Sequence, residues 1–170
     1  MAALNVLQVV GYKNSGKTTL IQNWLRLAER RHMRAAVIKH HGHGGPLELP
    51  PEGVDSMKFL TSGAVSSISC SADLIQMHMR AEPKLSELIL LAEQARPDII
   101  FVEGFKEADE SKVVIVRLQE EWESLRRLTN IRLVLVYDGI EMQEDQYPVI
   151  PISDAVTIEN WIISYLKDGL

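Results

Sequence analysis

LNVLQVVGYKNSGKTTL, residues 4–20, joins an apolar, β-branched run to a glycine-rich turn and then to a helix start. The near-continuous apolarity of 4–10 predicts a strand buried on both faces. Leu20, Ile21, Trp24, Leu25 and Leu27 fall at helical spacing and predict a helix over 17–31. RAAVIK at 34–39 predicts a second strand, so the opening of the chain is a βαβ unit. Between its first strand and helix, Gly11, Tyr12, Lys13, Asn14, Ser15, Gly16, Lys17 and Thr18 satisfy G-x-x-x-x-G-K-[ST] in full. The turn lets successive backbone N–H groups converge on phosphate oxygens, and the helix start adds unpaired donors. Lys17 can reach β and γ phosphates, and the Thr18 hydroxyl can ligate Mg²⁺.

Outward from this motif the pattern stays α/β. A short helix is predicted over 55–61, two tightly joined alternating strands at 64–70 and 73–79, and an amphipathic helix at 84–95. Strands follow at 98–103, 113–118 and 131–137, with a charged helical stretch at 120–128 and a terminal helix from Ser153 to Lys167. Strands alternating with helices predict one domain over 1–170. Its fold class is a three-layer P-loop NTPase-like α/β fold with a largely parallel sheet and an antiparallel edge. Residues 40–54, HHGHGGPLELPPEGV, hold four Gly, three Pro and three His and read as a loop. Such a composition supplies few local hydrogen bonds, so the loop is expected to be mobile alone and more ordered around a ligand.

Composition narrows the function. Of 170 residues, 18 are basic and 23 acidic, a net charge of -5, which argues against a general nucleic-acid binder. A phosphate ligand must therefore be held locally. No apolar run approaches the length of a membrane span, and the N-terminus lacks the features of a signal peptide. The single cysteine, Cys70, excludes an internal disulfide. A cytoplasmic protein is the expectation.

A phosphate loop with Mg²⁺ calls for an acid at the end of another buried strand. Glu103 ends DIIFVE and precedes Gly104, whereas Asp98 opens that strand at the wrong end. The alternative for Glu103 is a solvated strand-end charge. Asp55, after the loop, is a second metal-side candidate, and it also suits a helix start. His40, His41 and His43 carry metal-ligand chemistry, but no fourth ligand lies near them in sequence. Contacts to phosphate or substrate, or simple solvation, are their other readings. Tyr12 stands where some dimeric P-loop proteins carry a second lysine, and Lys13 comes one residue late.

GYKNSGKTTL at 11–20, IKHHGH at 38–43, VDSMKFLTSGA at 54–64 and PDIIFVEGFK at 97–106 together resemble the molybdopterin-guanine dinucleotide biosynthesis protein B (MobB) family. The resemblance implies a GTP-binding homodimer with Mg²⁺. It implies a partner, a MobA-type guanylyltransferase that attaches GMP to molybdopterin, and it leaves molybdopterin itself open as a further ligand. Carried over by position, Gly16, Lys17, Thr18 and Thr19 would hold phosphates, and Thr18 and Glu103 the metal. Lys39, His40, His43, Asp55 and Lys106 would line the same cleft. Guanine preference is inherited from the resemblance, since no N-K-x-D or T-K-x-D signature is present.

An accessory GTP-binding protein with slow hydrolysis is thus the first expectation, and a P-loop kinase of a small metabolite the alternative. A kinase needs a basic lid. The segment 104–112 is rich in acids, and Arg126-Arg127 lies in a charged stretch with no reason to approach the site.

Overall fold

The computed structural model describes residues 4–42, 47–51, 53–142 and 146–168, which gather into two compact units. The larger comprises the chain up to Gly42 and from Leu85 onward. Its strands are β1 (Asn5–Gly11), β2 (Ala35–Lys39), β5 (Ile99–Glu103), β6 (Ser111–Val116), β7 (Ile131–Val136) and β8 (Val149–Pro151). They form one sheet in the order β2-β5-β1-β6-β7-β8, parallel throughout. Its helices are α1 (Lys17–Arg30), α3 (Leu85–Glu93), α4 (Trp122–Leu125) and α5 (Ala155–Asp168).

Period-two alternation sorts the strand residues onto two faces. Leu7, Val9, Phe101, Val113, Ile115, Leu133 and Leu135 pack against Leu20, Ile21, Trp24 and Leu27 of α1 and against Ile158, Ile162 and Leu166 of α5. The Trp24 and Phe101 rings meet at 5.6 Å. On the opposite face Val10, Val114, Val116 and Val134 pack with Trp122 and Leu125 of α4. Ile38, Ile100 and Val102 pack there with Leu85, Leu88 and Ile89 of α3. The central strands are covered on both sides, which is why they read as continuous apolar runs.

Two fully buried polar side chains interrupt the second face, Gln8 and its register partner Lys112. Each captures backbone carbonyls of the segment that follows β5. Gln8 Nε2 donates to Gly104 O and Phe105 O at 3.0 and 2.8 Å. Lys112 Nζ donates to Ala108 O and Glu110 O. Burial holds the Lys112 amine below its ordinary pKa, with Asp109 and then Glu110 opposing.

The second unit, His43–Lys84, holds α2 (Asp55–Thr61), β3 (Ser66–Cys70) and β4 (Ile75–Met79). α2 buries Met57 and Leu60, and the Arg80 guanidinium donates to Leu60 O at 3.3 Å. The antiparallel pair expected at the edge of the main sheet is a two-stranded sheet of its own.

Elsewhere the boundaries shift for local reasons. β6 begins and ends two residues earlier than the apolar run 113–118, because the buried Lys112 reads as a polar boundary. At the other end the Glu121 carboxylate accepts from the Arg117 N–H at 2.8 Å and turns the chain out of the sheet. The helix expected over 120–128 is a 3-10 turn, Gln119–Glu121, followed by the single turn of α4. β8 is an addition, only three residues long and ending in Pro151 at the sheet edge, where the missing N–H is tolerated.

Candidate functional site

The phosphate loop occupies the carboxyl end of β1, the position at which open α/β sheets bind ligands. Gly16 caps α1 with φ +87°, and Asn14 sits at φ +60°, so the backbone coils tightly before the helix begins. Ser15 is fully buried, and its N–H donates to Tyr12 O at 3.3 Å. The Lys17 amine folds back over the loop, donating to Tyr12 O at 2.6 Å, Gly11 O at 3.2 Å and Ser15 Oγ at 3.4 Å. These bonds hold the cation where phosphate oxygens would arrive.

Glu103 stands beside this loop because β5 is the direct neighbour of β1, with Val9 opposite Glu103. The Thr18 hydroxyl donates to Glu103 Oε2 at 2.8 Å, and Lys39 Nζ approaches Oε1 at 3.3 Å. The carboxylate is nearly buried while Lys39 is half exposed, so the glutamate is oriented toward the loop and is not a solvated strand end. Asp98, at the other end of β5, accepts from the Arg34 N–H.

The chain after β5 wraps the same corner. Gly104 (φ +96°) and Phe105 (φ +52°) are both left-handed. A Cβ on Gly104 would stand 3.0 Å from His40 Cβ, so a glycine is needed where these two strand ends converge. The His40 ring lies 4.5 Å from the Phe105 ring, and His40 N–H donates to Glu103 O at 2.9 Å. Lys106 Nζ sits 4.1 Å above the Tyr12 ring, whose hydroxyl bonds Ser124 Oγ at 2.9 Å.

Of the expected residues, Gly11, Asn14, Ser15, Gly16, Lys17, Thr18, Lys39, His40, Glu103 and Lys106 thus fall at one corner, and Thr19 lies on the first turn of α1. Asp55 opens α2 in the smaller unit, where its carboxylate pairs with Lys58 at 2.8 Å. His43 lies outside the described residues. Among those residues, no group of three or more His, Cys, Asp or Glu gathers as a metal cluster.

Arg117 was not legible as a site residue, and Tyr12, legible as part of the motif, makes a contact that the motif does not signal. The Arg117 guanidinium donates to Lys13 O at 3.4 Å and to Asn14 O at 3.2 Å, bracing the loop. Tyr12 links Lys106 to α4. Nothing in the local pattern of either residue signals this, because each acts across the sheet.

Burial lowers the Lys17 pKa, Glu103 opposes this, and Lys106 and Lys39 add to the lowering. An anion entering the loop favours the charged amine and raises that pKa. Affinity is therefore full below the free-protein value and falls as pH rises through it. Sulfate, whose charge is constant across the alkaline range, is expected to bind progressively more weakly there, as measured by calorimetric titration. A flat profile would contradict this placement of the amine.

The family model described as molybdopterin guanine dinucleotide synthesis protein B matches residues 6–137. A Bacillus subtilis (strain 168) protein named "Probable molybdopterin-guanine dinucleotide biosynthesis adapter protein" is 35% identical over 163 residues, covering 95% of this chain and 93% of its own. A Haemophilus influenzae molybdopterin-guanine dinucleotide biosynthesis adapter protein is 31% identical over 166 residues, covering 92% of this chain and 89% of its own. Among solved structures, a MobB protein homolog from Bacillus stearothermophilus superimposes with a TM-score of 0.79 at 33% identity, over 97% of this chain and 99% of that one.

Proposed function

The chain belongs to the molybdopterin guanine dinucleotide synthesis protein B family, and from that membership we propose that it is a GTP-binding adapter in molybdopterin-guanine dinucleotide synthesis. It binds GTP with Mg²⁺ and supports a MobA-type guanylyltransferase as that enzyme attaches GMP to molybdopterin, with at most slow GTP hydrolysis of its own. The cytoplasm is the proposed location; no helix among the described residues is long and apolar enough to cross a membrane.

The observation that carries this reading is the Thr18–Glu103 contact at 2.8 Å, between the phosphate loop and the neighbouring strand end. A hydroxyl and a carboxylate are hard oxygen donors of the kind Mg²⁺ takes, with waters and phosphate oxygens completing the shell. Mg²⁺ would neutralise charge on the β and γ phosphates. Lys17, Lys39 and Lys106 would supply further positive charge, and the N–H groups of Gly16, Lys17, Thr18 and Thr19 would bind phosphate oxygens. His40 lies beside this cradle. The kinase alternative draws no support from the segment after β5, which Gln8 and Lys112 tie to the sheet instead of leaving free to close.

Glu103→Gln tests the metal role. The variant keeps the side chain's size and removes its charge, so the thermal midpoint is expected to move little. The strengthening of GTP binding by Mg²⁺ is expected to fall about tenfold, a change of about 1.4 kcal/mol. Calorimetric titration with and without Mg²⁺ checks this, and unaltered Mg²⁺ dependence would reject Glu103 as the metal-side acid. The adapter role is tested by adding the protein to a MobA-type enzyme and following guanine-dinucleotide formation.

We also propose a homodimer. On one face of the β3–β4 sheet Ile68, Ile75, Met77 and Met79 are all exposed, with Ile68 opposite Met77. A second copy of this chain is the proposed cover for that apolar face. Light scattering at micromolar concentration is expected to give twice the 19.2 kDa chain mass, and a monomer mass would refute the dimer.

A further inference from the structure

The carbonyls of Gly11, Tyr12, Lys13 and Asn14, consecutive in the phosphate loop, are held by a pair of cations. The Lys17 amine takes Gly11 O and Tyr12 O at 3.2 and 2.6 Å. One guanidinium nitrogen of Arg117 takes Lys13 O and Asn14 O at 3.4 and 3.2 Å. Arg117 follows β6, the neighbour of β1 on the side away from β5. Its backbone is fixed there, because the Glu121 carboxylate accepts from the N–H groups of Arg117 and Leu118 at 2.8 and 3.4 Å. Trp122 and Leu125 anchor the same turn in the core, and the Tyr12 hydroxyl bonds Ser124 Oγ at 2.9 Å. Tyr12, Lys13 and Asn14 therefore all touch one braced segment, 117–124.

The two Arg117 bonds flank Asn14. That residue sits at φ +60°, a left-handed conformation that asparagine adopts more readily than most side chains, though still at a cost. A trans peptide is planar, with its C=O and N–H on opposite sides. A grip on Lys13 O thus fixes the direction of the Asn14 N–H, and a grip on Asn14 O fixes that of the Ser15 N–H. Successive N–H groups in such a turn form a concavity that holds an anion. The Lys17 amine cannot keep its carbonyls once it turns to phosphate oxygens. Arg117 holds carbonyls that a phosphate does not use.

We propose that Arg117 is a positioning residue for phosphate binding, whose guanidinium holds the turn at Asn14 in the shape that aims the loop N–H groups at an oxyanion. The proposal rests on the nucleotide reading above. Without this grip the loop spends part of its time in other shapes, and the apparent affinity falls by the fraction that stays competent. The effect passes through backbone donors that every phosphate ligand uses. It is therefore the same for a nucleotide and for a phosphate chain with no base.

The test is calorimetric titration of GTP and inorganic tripolyphosphate with Mg²⁺, on the native chain, Arg117→Met and Arg117→Lys. Arg117→Met is expected to weaken both ligands by the same factor, about tenfold, the size of one charge-assisted hydrogen bond. Arg117→Lys, which keeps a charged donor on a shorter stem, is expected to recover part of that loss. The ratio of native to Arg117→Met affinity is expected to hold as salt rises, because a contact is screened far less than a distant charge. The amide signals of Asn14 and Ser15 in nuclear magnetic resonance are expected to move in Arg117→Met. Unchanged tripolyphosphate affinity in Arg117→Met, a loss confined to GTP, a ratio that falls to one in salt, or weakened binding with native Asn14 and Ser15 amides each overturns the proposal. A measurement on the native chain stands even if Arg117→Met fails to fold. The Arg117 Nη protons are expected as separate, slowly rotating signals with and without tripolyphosphate, and one averaged signal in the bound chain overturns the grip. Failure of the native chain to bind either ligand overturns the nucleotide reading itself, and the role of Arg117 with it.

Discussion

Lys17→Ala is expected to lower affinity for a nucleoside triphosphate about 100-fold or more. The Lys17 amine already lies over the loop, within 2.6 Å of Tyr12 O and 3.2 Å of Gly11 O. A phosphate would exchange these neutral acceptors for charged ones, and hydrogen bonds between charged groups contribute about 1.5–3 kcal/mol each. Losing two such bonds amounts to about 3 kcal/mol or more, which is about two decades in affinity. Stability is expected to hold or rise slightly, because the amine is partly desolvated in the free protein. Calorimetric titration with GTP and Mg²⁺ measures the first effect and thermal unfolding the second. Unchanged triphosphate affinity would remove the basis for reading this loop as a phosphate site.

Gly11→Ala is expected to be the most destabilising single-methyl change in the site, at about 3 kcal/mol or more. The added Cβ would stand 2.7 Å from Ile115 O and 2.7 Å from Ser15 Oγ. The first is backbone of a central strand, paired in register with Gly11, and the second belongs to a fully buried side chain. Neither can withdraw without disturbing the sheet or the loop. Gly53→Ala is the control, since a Cβ there meets nothing within 4 Å. Urea unfolding compares the two, and a Gly11→Ala midpoint equal to that of the control would show that the loop yields.

Residues that act on their sequence neighbours were legible without a structure. Gly11 to Thr18 declare a phosphate loop because the chemistry needs adjacent backbone donors, so the spacing is itself the mechanism. Glu103 was legible as a candidate because a buried strand ending in an acid and a glycine is a local pattern. Boundaries were less so. β8 has only Val149, Ile150 and Pro151, too short for any periodicity, and becomes a strand through pairing with β7. Lys112 looked like the polar edge of a strand, yet it is fully buried because carbonyls arriving from Ala108 and Glu110 receive its amine.

What the sequence determined by itself was the βαβ beginning, the three-layer class and the phosphate loop, all set by hydrophobic period and near-neighbour spacing. Only the tertiary structure decided which strands adjoin β1. That order brings Glu103 to Thr18 across 85 positions, Arg117 to Asn14 across 103, and Lys106 over Tyr12. It also decided that the antiparallel pair forms its own sheet and that Asp138 meets Ser153 across the ends of β7 and β8. The physical reason is the range of the forces involved. Periodicity records which face of an element is apolar, whereas hydrogen bonds and ion pairs act over about 3–4 Å between groups that only the packed sheet brings together.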